Sequence, residues 1–498
     1  MGTVLLSDWT LEATKPAAKL QARLLPSVRA RYDAATIDDD NRRHWANADN
    51  LSARQANSPD VRDRLRRHAR YEVANNCYAR GIVNTLADIT IGYGPTLVVQ
   101  QASQQADQSS SYEDLSEVAR LFTDWADEIN LWGKLWTMRV SKAQDGEAFA
   151  IMRTNPRLQG AVQLDLQLVE AEQVTDGLMG TEWLDPRKVD GLELDDFGNP
   201  LIFKVLMDHP GDLAISQEPI KIPASQMLHW FRCDRPGQVR GIPEITPALP
   251  LFAQLRRFTL ATLTAAETAA DIAALLKSTL PSDDEDLPAS WEQIPIERGT
   301  MTTLPEGYDL AQMKAEHPTT TYEMFKREIL CEIGRTLQLP KMVTLLDASN
   351  YNYSSGRLDK QTTDRAIDVE RYQCDLQILR KIWGAWFAEA VRITGYLPAS
   401  VEAGMAVRPR WLWQQLGHVD RKKEADGAAA DLANNTTTLA DECARMGLDY
   451  REVIRQRARE LAELREAGLV QIAPQQPIGD TRQRVEEGSN DEELEEVE

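Results

Sequence analysis

The chain has 498 residues, 42% of them hydrophobic, and a formal net charge of −21. That is enough apolar material for a sizeable core and two to four domains. The acidity excludes a tight, sequence-blind DNA binder, which needs lysine and arginine to displace phosphate counterions, but not a protein that merely surrounds nucleic acid.

Residues 1–58 are polar and irregular, with an acidic run at 38–40 and Trp45 as a possible anchor, and read as an N-terminal arm. A helix is expected over 59–91, with Leu65, Ala69 and Val73 on one face and Gly92 and Gly94 closing it. Its arginines (Arg62, Arg64, Arg66, Arg67, Arg70) read as a solvated or intersubunit salt-bridge face rather than a nucleic-acid site. A second helix follows over 112–129. Asp145-Gly146-Glu147 before the alternating run 148–152 is a hairpin-turn signal between β-prone flanks. Further strands are expected over 163–170 and 191–205, making a small α+β unit.

The organising stretch is 244–357. An alanine-rich outgoing helix over 244–278 carries Ala261, Ala265, Ala266, Ala269, Ala270, Ala273 and Ala274. A returning helix over 321–337 carries Phe325, Ile329 and Ile333 at i, i+4, i+8. Between them, residues 281–318 hold nine acids against Arg298 and Lys314, a net of −7 (2 − 9). Two rods with an acidic tip are an assembly element more naturally than a catalytic pocket. A polar loop at 339–355 precedes a helix over 356–394, whose stripe Val369, Tyr372, Leu376, Leu379, Trp383, Trp386, Ala390 is the clearest amphipathic face in the chain. A last helical segment covers 418–467. The end of the chain, with eight acids among 486–498, is expected to be disordered and solvating.

Five scattered cysteines (Cys77, Cys233, Cys331, Cys374, Cys443) form neither a disulfide framework nor a CxxC site, which points to a reducing environment. No signal peptide is expected at the N-terminus. Glu267 and Asp271 interrupt the alanine-rich helix before it could span a bilayer, so no membrane association is expected. Gly133-Lys134 lacks the glycine spacing of a P-loop, Gly92-Tyr93-Gly94 reads as a helix stop, and no HExxH or Cys/His ligand pattern appears. The expectation is no enzyme, no metal and no cofactor. The enzyme alternative is a metal-dependent nuclease using Asp145 and Glu147. The second alternative is a virion scaffold or adaptor that encloses no DNA.

Several pieces, taken in order, resemble the lambda-type family of phage portal proteins. They are the arginine-rich helix running into Ile91-Gly92-Tyr93-Gly94, Asp145-Gly146-Glu147, the run 166–171, Asp190-Gly191-Leu192-Glu193, and Gly198-Asn199-Pro200. The most specific are His229 with Arg235-Pro236-Gly237-Gln238-Val239-Arg240-Gly241-Ile242-Pro243, and Asn352-Tyr353-Ser354-Ser355-Gly356-Arg357. The family glycine before the loop proline is replaced here, in Leu337-Gln338-Leu339-Pro340. The resemblance implies an α+β, mainly helical portal fold, assembled as a closed ring of usually twelve subunits around a DNA channel. It divides the chain into a wing (59–243), an outgoing stem helix (244–280), a clip (281–318), a returning stem helix (319–338), a tunnel loop (339–355), a wing helix with its following segment (356–417), a crown (418–470) and an acidic tail (471–498).

On that resemblance Lys341, Met342, Thr344, Asp347, Asn350 and Asn352 are expected to face DNA. Asp283, Asp284, Glu285, Asp286, Trp291 and Glu292 are expected to dock the large terminase subunit and later the head–tail connector. Ala265, Ala269 and Ala273 are expected between subunits. Major capsid and scaffold proteins, and double-stranded DNA held weakly and without sequence preference, complete the expected partners. The place implied is the portal vertex of the virion, after assembly in the host cytoplasm.

Overall fold

The structure, a computed structural model, describes residues 42–101, 111–176, 185, 187–212, 218–271, 275–278, 308–311, 319–349, 351–415 and 421–469. The chain divides into two units, Met1–Ser52 and Ala53–Glu498. In the first, the described stretch 42–52 is exposed and turn-like, with Trp45 edge-on to His44.

The second unit opens with α1 (Ala53–Ala56), α2 (Pro59–Asn75) and α3 (Cys77–Thr90). One helix was expected over 59–91. Asn76 breaks it: its backbone is extended (φ −118°, ψ 116°) and its side chain accepts from the N–H groups of Tyr78 and Ala79, so it caps α3. Next come β1 (Thr96–Gln101), α4 (Ser111–Glu128) and α5 (Leu131–Asp145), then β2 (Glu147–Thr154) and β3 (Leu164–Val169). The expected hairpin at Asp145-Gly146 is instead a helix-to-strand joint. Gly146 takes the left-handed conformation (φ 90°) that ends α5, and its N–H donates to Lys142 O. A Cβ there would collide with the Ile242 backbone, and one on Gly241 with the Gly146 carbonyl, so two chain segments cross at contact distance.

Strand β2 pairs antiparallel with β3 on one side and with β8 (Met227–Phe231) on the other. A four-stranded antiparallel sheet follows the order β4 (Lys188–Val189), β5 (Leu192–Leu194), β6 (Pro200–Val205), β7 (Ile220–Pro223). The expected outgoing helix is α6 (Leu249–Asp271), and its end is corrected. Residues 275–278, expected to be helical, form β9 (Leu275–Ser278), because ladder pairing with β10 (Tyr308–Ala311) overrides the alanine-rich propensity. The returning helix is α7 (Thr319–Thr336). After α8 (Lys341–Leu345) the chain enters α9 (Tyr353–Cys374), a π-helical turn (Asp375–Leu379) and α10 (Arg380–Ala390). The remainder is α11 (Ala399–Glu402), β11 (Val407–Leu412), α12 (Arg421–Ala433), α13 (Leu439–Arg445) and α14 (Tyr450–Glu466). Strand β11 pairs antiparallel with β1 across some three hundred residues of chain, with Thr96 opposite Leu412. Among the described residues, no helix is long and apolar enough to cross a membrane.

Three apolar clusters hold the unit. One packs α4 and α10 on the β2 sheet through Phe122, Trp125, Trp383 and Trp386. A second roots the rods: Leu249, Phe252 and Leu255 of α6 share a core with Ile329, Leu330 and Ile333 of α7 and with α2 and α3. The third fills the space between the two sheets. The long stripe expected on 356–394 survives only in part. Leu379, Trp383, Trp386 and Ala390 are buried, whereas Val369, Tyr372 and Leu376 are exposed. The π-helical turn is the reason. It inserts one residue into the helical repeat and rotates the preceding face by about 100°.

Candidate functional site

The sequence signatures around Glu147, His229 and residues 235–243 converge on a buried ionic hub at the joint of α5 and β2. Glu147 is 0% exposed, and its carboxylate receives Arg66 from α2, both Arg240 Nε contacts (3.0 and 2.9 Å), the Gly241 N–H (3.0 Å) and His229 Nε2 (3.0 Å). Arg240 also donates to the carbonyls of Val174 (3.1 Å), Ala171 (3.2 Å) and Asp190 (2.5 Å), and lies over the Phe149 ring. Burial would push the Glu147 carboxyl up. Arg240, His229 and Arg66 outweigh it and hold Glu147 well below the usual carboxylate range.

Asp145 takes Arg70 Nε at 2.6 Å, while Arg66 Nε reaches the Asp145 carbonyl at 3.1 Å. Arg62 pairs with Asp190, and burial, then Arg240, pulls its guanidinium down to about 10. The solvated-face reading of the arginine cluster is therefore corrected for three of its members. Arg62, Arg66 and Arg70 recur every four residues on one face of α2 and turn inward, and Arg64 and Arg67 stay exposed.

This arrangement also bears on the nuclease reading. A nuclease needs Asp145 and Glu147 free to hold a divalent ion. Here each carboxylate is committed to arginine, so the pair does not fit a metal and no catalytic step is derived from it. A second set of possible ligands, Glu170, Glu172 and His209, lies near the surface. Arg70 occupies both of its carboxylates (3.2 and 2.9 Å), and His209 Nδ1 accepts the Gly211 N–H.

A second knot of charges sits at the root of the rods. Glu244, just before α6, receives Arg139 Nη1 (2.9 Å) and Lys142 Nζ (3.1 Å) from α5. Lys142 also reaches Glu370 of α9 at 2.5 Å. Burial works to raise the Glu244 carboxyl, and Arg139 and Lys142 overcome it and bring it to about 2. The 235–243 motif is the clasp between the two knots. Gln238 Oε1 accepts from the N–H groups of Asp234 (3.0 Å) and Arg235 (3.3 Å), and its amide nitrogen donates to the carbonyls of Arg232 (3.2 Å) and Arg240 (3.0 Å). The motif's work in this chain is to pin α2, β2 and β8 to the base of α6.

Beyond that base the rods touch through Phe258, which stacks on Tyr322 (5.8 Å between ring centroids) and leans on Phe325 (4.3 Å). Ala265 is exposed on α6. Ala269 falls within α6, but its side chain lies outside the described residues. Ala273, Asp283, Asp284, Glu285, Asp286, Trp291, Glu292 and Asn350 also lie outside them.

The segment 339–355 is less loop-like than its polar residues suggest, because a short helix satisfies its backbone. Thr344 is 4% exposed, donates to Pro340 O (3.0 Å) and sits where a side chain on Gly334 would be. Thr344, expected to face DNA, is instead packed inside its own protomer. Lys341 and Met342 are half-buried, and the Met342 N–H donates to Tyr351 OH (3.1 Å). Asp347 accepts from Ser349 and pairs with Arg327 (2.9 Å); the Ser349 hydrogen bonds, more than Arg327, lower its pKa. Asn352 is exposed and caps α9 by accepting from Ser355 N (2.9 Å). Gly334→Ala should push α8 off α7 at a cost of about 1–3 kcal/mol. Limited proteolysis would show this as faster cleavage at 346–352 than in the parent chain.

These elements are those of one known family. The model for "Phage portal protein, lambda family" matches residues 39–371. The chain belongs to that family. A curated relative, a "Probable portal protein" of Halomonas phage phiHAP-1, is 24% identical over 431 residues, covering 81% of each chain. Among solved structures, a chain from the neck of an empty GTA particle computed with C6 symmetry is 15% identical at TM-score 0.40, covering 76% of this portal protein and 92% of that chain. A chain from the virion of a native gene transfer agent particle is 14% identical at TM-score 0.40, with 79% and 97% covered. Likeness at that level decides nothing about how this portal protein assembles.

Proposed function

We propose that twelve copies of this portal protein close into a ring whose centre is a passive channel at one capsid vertex. Double-stranded DNA passes inward during packaging and outward during ejection. The observation that supports this reading best is the surface of the rods. Leu260 (57% exposed), Leu263 (54%) and Met324 (68%) stand out from α6 and α7 in a single chain. Large apolar side chains exposed on both rods mark surfaces that another protein covers. Ring contacts join two different patches of the same chain, so a stem with an apolar flank suits a closed, head-to-tail assembly. The net charge of −21 suits a channel that must not grip what it passes.

In this reading residues 281–318 form the clip, and Asp283, Asp284, Glu285, Asp286, Trp291 and Glu292 offer it first to the terminase motor and then to the connector. Ala265, Ala269 and Ala273 lie between stems. Lys341, Met342, Asp347, Asn350 and Asn352 belong to the segment nearest the DNA, and 418–470 forms the crown. A deletion of residues 348–350 tests the channel directly. Rings should still form, because α8 and the Asn352 cap lie outside the deletion, while packaging or retention of packaged DNA should fail. Loss of the rings themselves would make the segment structural and overturn its assignment to the channel.

A further inference from the structure

The π-helical turn leaves α9 with an apolar face that its own protomer does not cover. Val369 and Tyr372 are each 57% exposed, and Leu376, inside the turn, continues the row. Beside them Asp364 and Asp368 stand one helical turn apart, a like-charged spacing that destabilises a helix. Neither is in ion-pair contact among the described residues, and Lys360 and Arg371 act on them only from a distance. Arg371, one turn beyond Asp368, is spent on the carbonyls of Thr90 (3.1 Å), Ile89 (2.9 Å) and Gln414 (3.2 Å). Lys360, one turn before Asp364, and Arg365 balance the two acids in number, and exposed Asp368 is the acid beside the apolar row.

A single charge complementary to Asp368 lies on α6. Arg257 is exposed and has no ion pair among the described residues, and Leu260 and Leu263 follow it at intervals of three. The order cation, leucine, leucine over 257–263 therefore matches acid, tyrosine, leucine over 368–376. The first run spans about 9 Å of helix and the second about 12 Å.

We infer that α9 of one subunit receives α6 of the next copy of the chain, with Asp368 meeting Arg257 and the Val369–Tyr372–Leu376 row covering Leu260 and Leu263. The contact rests on the ring reading above and adds to it the two unlike surfaces that a head-to-tail assembly requires. It also accounts for apolar residues kept on a face that the π-helical turn has rotated out of the core.

Charge reversal tests it. Arg257→Asp and Asp368→Arg should each weaken ring formation by the purified full chain at least about tenfold in the midpoint concentration, read by native mass spectrometry. The double variant should recover most of that loss. Thermal unfolding of each protomer should stay close to the parent, since both positions are exposed. Parent rings with unaffected single variants, or singles whose loss the double variant fails to recover, would overturn this contact and leave the ring standing. A parent chain that stays monomeric would remove the ring reading and this contact together.

Discussion

Replacing Glu147 with alanine should lower the stability of the protomer by about 3–5 kcal/mol, the usual result of breaking a buried charge network from one side. The substitution leaves Arg66 and Arg240 buried around a space where their anion stood, and deprives the Gly241 N–H and His229 of their acceptor. The two arginines come from α2 and from the clasp before α6, so the loss should loosen the attachment of the rods and not only the β2 sheet. Asp63→Ala makes the contrast. Its partner Arg67 is largely exposed, and a surface pair of that kind contributes about 1 kcal/mol or less. Chemical denaturation of the three chains at neutral pH measures both. A Glu147→Ala midpoint matching that of Asp63→Ala would mean the hub does not hold the fold together.

Acid should attack the same joints. Glu147 and Glu244 are both held below their ordinary values in the folded chain, Glu244 at about 2. Groups depressed on folding contribute stability that is complete above their unfolded pKa, about 4.3, and is lost as pH falls toward the folded value. The fall at Glu244 from 4.5 to about 2 corresponds to roughly 3 kcal/mol. Asp145 acts in the opposite sense. Burial, against the pull of Arg70, raises its carboxyl, so protonating it on acidification relieves a cost. Two groups against one leave a net loss between about pH 4.3 and 2. Burial also lowers the pKa of His229, so the urea midpoint should begin to fall below about pH 6.5, where the unfolded chain binds a proton there, and drop further below about pH 5. Glu244→Gln should start lower at pH 7 and lose less on acidification. A parent midpoint that stays level down to pH 3 would contradict the charge assignment at both knots.

How far the sequence could be read follows from which interactions are local. Helices α4 and α7 are set by periodicity and were legible to within a residue or two. The break at Asn76 was not, because a capping side chain interrupts the helix without disturbing its apolar spacing. The Asp145-Gly146 joint misled because a glycine at positive φ serves a helix end as well as a hairpin. The β1–β11 pair depends on partners distant in the chain, which no local pattern encodes. The π-helical turn was hidden because the stripe from Val369 to Ala390 continues through it at regular spacing. The hub had a signal that composition obscured. Arg62, Arg66 and Arg70 at intervals of four share one helix face, and that spacing, followed later in the chain by acids and the 235–243 motif, points to buried pairing. Family membership was legible from the order of its motifs, whereas the work those motifs do, clasping the rods to the sheets, needed their contacts.

The proposed ring around a channel has a direct signature. Electron micrographs of the purified full-length chain, viewed end-on, test it most directly. A closed ring with one central pore and a single subunit number throughout the population is expected. Compact single subunits, or open chains of varying length, would contradict it.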